Sequence, residues 1–120
     1  MKLAITAEGN SPDSPVDPRL GRAKWFMIYD SDSETYEAVD NSSGVEATHG
    51  AGPIAAETIA AHKVDCVITG HCGPRAYQAL NAAGIKVAVS VEGTVAESVS
   101  SFLAGELKST DGPDVQGHWT

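Results

Sequence analysis

Residues 66–89 read CVITGHCGPRAYQALNAAGIKVAV, and they contain a complete strand, helix and strand unit. The apolar run at 66–69 predicts a buried strand, and Pro74 introduces a helix because proline is well suited to the first helical position. Gly84 is placed to end that helix before a second apolar strand at 86–90. Strands that alternate with helices in this way predict an α/β fold with parallel strands.

The remaining segments extend this unit into a larger sheet. Three further strands are predicted at 2–7, 24–30 and 35–39, and two further helices at 53–62 and 94–103. The second strand is expected to run antiparallel to the first and third, whereas the last two run parallel to the first. The prediction is a five-stranded mixed sheet of order 3-2-1-4-5 with helices on both faces.

Length and charge limit the possible functions. The 120 residues are 42% hydrophobic, which fits one domain, predicted at 1–107 and followed by a flexible tail at 108–120. A formal net charge of −8 repels a phosphate backbone, so nucleic acid is not expected as a partner. Neither a signal peptide nor an apolar run of ~20 residues is recognised, which predicts a cytoplasmic protein without membrane association.

The predicted strand directions bring five loops to one edge of the sheet. They are the Pro-rich loop at 8–18 and the segments at 19–24, 49–53, 70–74 and 91–94. Ligands of open α/β sheets usually bind at this carboxyl edge. Two of the segments are Gly-rich and lead into helices, whose unpaired N–H groups attract anions. The sequence therefore predicts an anion-binding edge.

Several residues at this edge are candidates for contact with a ligand. Arg19, Arg22 and Lys24 could offset the charge of an anion, or they could pair with the acidic residues that follow them. Glycines could allow the backbone to approach the ligand, or they could be needed only for tight strand-to-helix turns. The candidate glycines are Gly50, Gly52, Gly70 and Gly73.

His49, His71 and Cys72 are the candidate metal ligands. Imidazole can ligate a metal or donate a hydrogen bond, with a solvated loop histidine as the alternative. Cys72 precedes a helix N-terminus, where the dipole favours the thiolate that binds soft metals or attacks a substrate. A packed small side chain is the alternative for Cys72. Cys66 is interpreted as a buried structural thiol because its strand is expected to be covered on both faces.

An ordered set of motifs gives the chain a family resemblance. The motifs are Asp17-Pro18-Arg19-Leu20-Gly21-Arg22-Ala23, His49-Gly50-Ala51-Gly52, Val67-Ile68-Thr69-Gly70, Gly73-Pro74-Arg75-Ala76, Gly84-Ile85 and Phe102-Leu103-Ala104-Gly105-Glu106-Leu107. With these motifs, residues 1–107 resemble the dinitrogenase iron-molybdenum cofactor biosynthesis family, which includes NifX-like and NafY-like carriers.

The resemblance implies a three-layer, ribonuclease-H-like fold and a binding function without catalysis. The implied ligand is an anionic metal-sulfur cluster, either a molybdenum-copper sulfide or an iron-molybdenum cofactor precursor, held for storage or for delivery between donor and acceptor proteins. The family's histidine-containing turn maps onto His49, and its Arg-rich segment maps onto Arg19 and Arg22. We expect a monomer or a weak homo-oligomer.

Two other functions remain open at this point. A metal-free regulatory module would contact its partner through the Pro-rich loop or the acidic hairpin around 31–34. A small hydrolase would use Cys72 as its nucleophile, although the chain lacks the Cys-x5-Arg pattern of phosphatases and the Gly-x-x-x-x-Gly-Lys phosphate loop. A fold shared with nucleases does not by itself indicate nuclease activity.

Overall fold

The computed structural model describes residues 1–113, and the predicted sheet is present in it. Its strands are β1 (Lys2–Ala7), β2 (Trp25–Asp30), β3 (Thr35–Asp40), β4 (Cys66–Ile68) and β5 (Lys86–Ala88). The order is β3-β2-β1-β4-β5. β2 is antiparallel to β1 and β3, whereas β4 is parallel to both β1 and β5. The predicted order and strand directions are confirmed.

The helices of the described part of the chain are α1 (Ser42–Val45), α2 (Ala51–Ala61), α3 (Pro74–Ala82) and α4 (Val95–Leu103). The three longer helices match the predictions, although α2 begins two residues earlier than the predicted start at Pro53. This happens because Gly50 adopts a left-handed conformation, with φ of 72°, and turns the chain into the helix. The single turn of α1 was not predicted, because one turn has little stability without tertiary contacts.

Helices cover both faces of the sheet. Alternating strand residues point to opposite faces, so each face has its own apolar core. The core beneath α2 and α3 includes Phe26, Ile28, Ile59, Val67 and Leu80. The core beneath α4 includes Leu3, Ile5, Met27, Ile68 and Val95. This arrangement confirms the expected three-layer α/β fold.

The Pro-rich loop at 8–18 is anchored to the N-terminus of α4. The Val16 N–H donates to the Gly93 carbonyl at 2.9 Å, and the Val95 N–H donates to the Ser14 carbonyl at 2.9 Å. These bonds connect the first loop of the chain to its last helix. The loop is thereby held at the carboxyl edge of the sheet, as the sequence predicts.

The segment after α4 makes a defined contact with the edge strand β5. The Thr110 N–H donates to the Val87 carbonyl at 2.7 Å, and Thr110 Oγ1 donates to the Gly112 carbonyl at 2.9 Å. Thr110 of the predicted tail therefore contacts the sheet, whereas residues 114–120 are outside the described residues. The flexible tail at 108–120 stays a prediction. No helix of the described chain is long and apolar enough to cross a bilayer.

Candidate functional site

The second Gly-rich turn lies directly against the basic segment. Arg19 and His71 form an isolated parallel bridge between their backbones. Gly70 is packed so closely that a Cβ there would lie 2.6 Å from Pro18 Cα. The Gly70 carbonyl also accepts a 2.7 Å hydrogen bond from the Ser90 N–H. The predicted convergence of these distant segments is therefore present in the fold.

The first Gly-rich turn presents the N-terminus of α2 without a cap. Gly50 is the N-cap residue, no side chain within residues 1–113 accepts a hydrogen bond from the first turn, and no acidic residue lies in that turn. Gly52 is buried within the turn, whereas His49 is exposed just before it. Uncapped N–H groups and the positive end of the helix dipole leave this turn suited to an anion.

The second turn presents the N-terminus of α3 in the same way. Gly73 is the N-cap residue and Pro74 begins the helix, again without a side-chain cap or an acid in the first turn. α2 and α3 pack against each other, so the two uncapped ends belong to neighbouring helices. Gly73 is buried and has no side chain, so its backbone groups are the only polar groups that it contributes to the turn.

Arg75 is a further candidate at this edge that was not among the residues predicted to contact a ligand. It is exposed in the first turn of α3, where the helix dipole disfavours a cation by about 0.3–1 kcal/mol. Within residues 1–113 no carboxylate lies within 4.0 Å of the Arg75 or Arg19 guanidinium. An anion at this edge would compensate both charges. The available signal was a basic residue immediately after a Gly-Pro helix start.

The N-terminus of α4 differs from the other two because its N–H groups already have partners. Thr94 Oγ1 accepts from the Glu97 N–H at 3.2 Å, and the Thr94 N–H donates to Glu97 Oε1 at 2.8 Å. The latter bond lowers the pKa of Glu97. The Ala96 N–H donates to the Pro12 carbonyl at 2.9 Å. Only α2 and α3 of these three helices therefore offer uncapped N-termini.

Arg22 is used within the protein. Its Nη1 donates to the carbonyls of Ala47 at 2.7 Å, Val45 at 3.0 Å and Gly44 at 3.4 Å. The guanidinium therefore stabilises the end of α1 and the segment that leads to His49. These carbonyls are neutral and leave the positive charge of the guanidinium in place, so the expectation that Arg22 offsets ligand charge stays a prediction.

This geometry predicts how substitutions of Arg22 behave. Arg22→Ala should lower the free energy of unfolding by about 2 kcal/mol, since it removes charge-assisted hydrogen bonds to three carbonyls. Arg22→Lys keeps the charge but cannot reproduce the planar guanidinium, so it should recover less than half of that loss. Urea unfolding of both variants checks this. Full recovery by lysine would show that charge alone is needed.

Lys24 lies among acidic residues. It is exposed, and it lines a cavity of about 240 Å³ together with Asp40 and Glu46. The pKa of Asp40 is lowered mainly by a hydrogen bond from the Ser42 N–H. These surroundings favour the alternative in which Lys24 offsets the acidic stretch.

Cys72 does not face the edge of the sheet. Its side chain has 0% exposed area in the core beneath α2 and α3, and its Sγ donates to the Gly73 carbonyl at 3.6 Å. The sulfur is therefore enclosed in this conformation, and the roles of Cys72 as metal ligand and nucleophile stay predictions.

The three predicted ligands do not form a preassembled metal centre. His49 is exposed and His71 is half-buried, while Cys72 is enclosed in the core. In the described chain, no group of three or more His, Cys, Asp or Glu side chains could hold a metal ion.

Cys66 is the buried structural thiol that the sequence predicts. It lies at the start of β4 with 3% of its surface exposed. Burial raises its pKa from 9.0 to about 11, while a hydrogen bond from the Ala88 backbone and the charge of Lys86 oppose the rise. The thiol is therefore protonated at neutral pH.

This raised pKa predicts a loss of stability at high pH. The unfolded thiol ionises near pH 9, whereas the folded thiol keeps its proton until about pH 11, so stability present below pH 9 is lost between these values. The loss amounts to at most about 3 kcal/mol. Urea unfolding from pH 8 to 11 measures it, and Cys66→Ser should show a shallower decline. Equal declines would contradict the assignment.

Comparisons with known proteins agree with this architecture. A family model described as dinitrogenase iron-molybdenum cofactor matches residues 1–105. The apo form of the orange protein from Desulfovibrio gigas is 43% identical, with a TM-score of 0.93 over 95% of this chain and 96% of that chain.

Two further relatives also match over most of the chain. A Thermotoga protein provisionally assigned as NifB is 33% identical, with a TM-score of 0.81 over 95% of this chain and 98% of that chain. An uncharacterized protein of Methanocaldococcus jannaschii is 29% identical over 111 residues, which cover 90% of each chain. The similarity therefore includes both Gly-rich turns and the basic segment.

Proposed function

This chain belongs to the dinitrogenase iron-molybdenum cofactor family, and on that premise we propose that it binds an anionic metal-sulfur cluster. The protein stores this cargo, or delivers it between donor and acceptor proteins, without catalysing a reaction. The proposal is carried by the two uncapped N-termini of α2 and α3, together with Arg75 in the first turn of α3 and Arg19, whose backbone bridges that of His71. A cluster with terminal sulfides suits this edge because it is both anionic and a hydrogen-bond acceptor.

The cargo is held mainly by charge and by hydrogen bonds. The turns at Gly50 and Gly73 supply backbone N–H donors, and Arg19 and Arg75 supply guanidinium groups that donate in a plane. His49 and His71 add imidazoles that can donate to sulfide or ligate an exposed metal. The lack of a preassembled set of three ligands in the described chain favours this mode over a fully coordinated metal.

The proposed cargo is a molybdenum-copper sulfide, and an iron-molybdenum cofactor precursor is the alternative. The first possibility follows the resemblance, and the high similarity to the D. gigas orange protein is consistent with it. Both are anionic clusters that the same donors can hold. Metal content therefore distinguishes the two possibilities better than geometry does.

Reconstitution tests the proposal directly. Apo protein is incubated with tetrathiomolybdate and copper(I) and then passed through a gel-filtration column. We expect visible charge-transfer absorption, molybdenum and copper to elute with the protein, and elemental analysis of the natively purified protein to detect the same metals. If neither preparation contains molybdenum, copper or iron beyond trace amounts, the proposal fails.

A further inference from the structure

The opposite edge of the sheet carries a cavity that the proposed cargo site does not use. We call it the amino-edge cavity, because it lies where the parallel strands β4 and β5 begin. It has a volume of about 550 Å³, within the range of small-molecule sites. Six of the residues that line it are Met1, Asp65, Lys86, Phe102, Leu107 and Lys108.

One wall of the cavity is formed by the segment after α4. This segment contacts the edge strand β5 through the 2.7 Å hydrogen bond from the Thr110 N–H to the Val87 carbonyl. Leu107 also packs against the apolar core beneath α4. The cavity is therefore enclosed by a segment that tertiary contacts hold in place.

Two lysines give the cavity a positive rim. Lys86 and Lys108 are both exposed, and no carboxylate of the described chain lies within 4.0 Å of either ammonium group. The neighbouring acid, Asp65, already accepts a 2.9 Å hydrogen bond from the backbone N–H of Lys2. With two ammonium groups against the one Asp65 carboxylate, the rim keeps a net positive charge in a protein whose net charge is −8.

Part of the cavity lining is apolar. Phe102 and Leu107 are half-buried, and 49% of the Met1 surface is exposed beside them. Cys66 also lines the cavity, and its protonated thiol adds no negative charge at neutral pH. An ion without an apolar body would leave this surface in contact with water.

We propose that the amino-edge cavity binds a small organic anion whose acidic group pairs with Lys86 and Lys108 and whose apolar body covers Phe102 and Leu107. The acidic group is a carboxylate or a phosphate ester, because both accept hydrogen bonds from ammonium groups. The site is independent of the cargo site, which lies at the other edge of the sheet.

The fluorescent anion 1-anilinonaphthalene-8-sulfonate is a suitable probe, because it joins an acidic group to an aromatic body. We expect its fluorescence to rise with the native protein, and backbone amide NMR shifts to concentrate at 84–88 and 102–109. Phenylacetate or phenyl phosphate should displace it, and the better competitor identifies the preferred acidic group. Inorganic phosphate and benzyl alcohol, each lacking one of the two features, should not displace it.

Charge-reversal variants test the role of the two lysines, and a third exposed lysine provides the control. Lys86→Glu combined with Lys108→Glu should weaken probe binding about tenfold or more, whereas Lys63→Glu, at an exposed lysine outside the lining of the cavity, should leave it within about twofold. The proposal is overturned if the probe shifts the amide resonances of residues 49–53 and 70–75 instead. It is also overturned if the double substitution leaves the affinity for the probe unchanged. If neither phenylacetate nor phenyl phosphate displaces the probe, the proposal is overturned as well.

Discussion

Replacing Arg19 and Arg75 together by alanine should weaken retention of the metal-sulfur cluster about 100-fold. Each guanidinium is exposed at the cargo site and lacks a carboxylate partner in the described chain. A charge-assisted hydrogen bond contributes about 1.5–3 kcal/mol. Because both groups are exposed we take the lower end, so the loss of two donors corresponds to about two orders of magnitude in affinity. Equilibrium dialysis of the reconstituted protein, with molybdenum and copper measured on both sides, gives the value.

The control for this prediction removes the same charge from the opposite edge. Lys63→Ala combined with Lys86→Ala should retain the cluster within about threefold, because solvent and salt screen charges at that distance. Arg75→Ala alone should not destabilise the apo protein, since it removes a cation that the dipole of α3 disfavours. If both double variants lose cargo equally, binding depends on overall charge and the proposed local contacts are wrong.

Gly70→Ala should be the most damaging small substitution at the cargo site. A Cβ at this position would lie 2.6 Å from Pro18 Cα and 2.8 Å from the Pro18 carbonyl oxygen. Both neighbours are backbone atoms, so the two segments must separate. We expect the free energy of unfolding to fall by about 3 kcal/mol, the upper end for overpacking. Urea unfolding gives the change.

The same substitution should also impair cargo binding, because the Arg19–His71 bridge depends on this close approach. Gly112→Ala is the matched control, since a Cβ there would meet no atom within 4 Å. It should change stability by less than about 0.5 kcal/mol. A Gly70→Ala variant as stable as Gly112→Ala would show that the contact between the turn and Pro18 can relax.

The strand order was predictable because each apolar segment is short and clearly bounded. The segments of β4 and β5 flank a helix that starts at Pro74 and ends before Gly84, and this spacing restricts them to parallel neighbours. The convergence of the basic segment and the Gly-rich turns followed from strand direction alone. The positions of the loops could therefore be predicted without any knowledge of side-chain contacts.

The roles of individual side chains were harder to predict from the sequence. Arg22 looked like a ligand-facing charge, yet its Nη1 donates to carbonyls that follow it by 22 to 25 residues. Its partner α1 is a single turn that forms only within these tertiary contacts. No local pattern indicates such a pairing, because both the donor and its acceptors depend on the folded arrangement.

The sequence by itself determined the order of strands and helices, the edge at which the loops meet and the uncapped Gly-rich turns, because these depend on backbone propensity and chain direction. Only the tertiary structure decided which way each side chain points from that edge. Packing of α2 against α3 encloses Cys72 in the core and leaves His49 and Arg75 exposed. Side-chain direction at a helix start depends on the neighbouring helix, and that information is not local in the sequence.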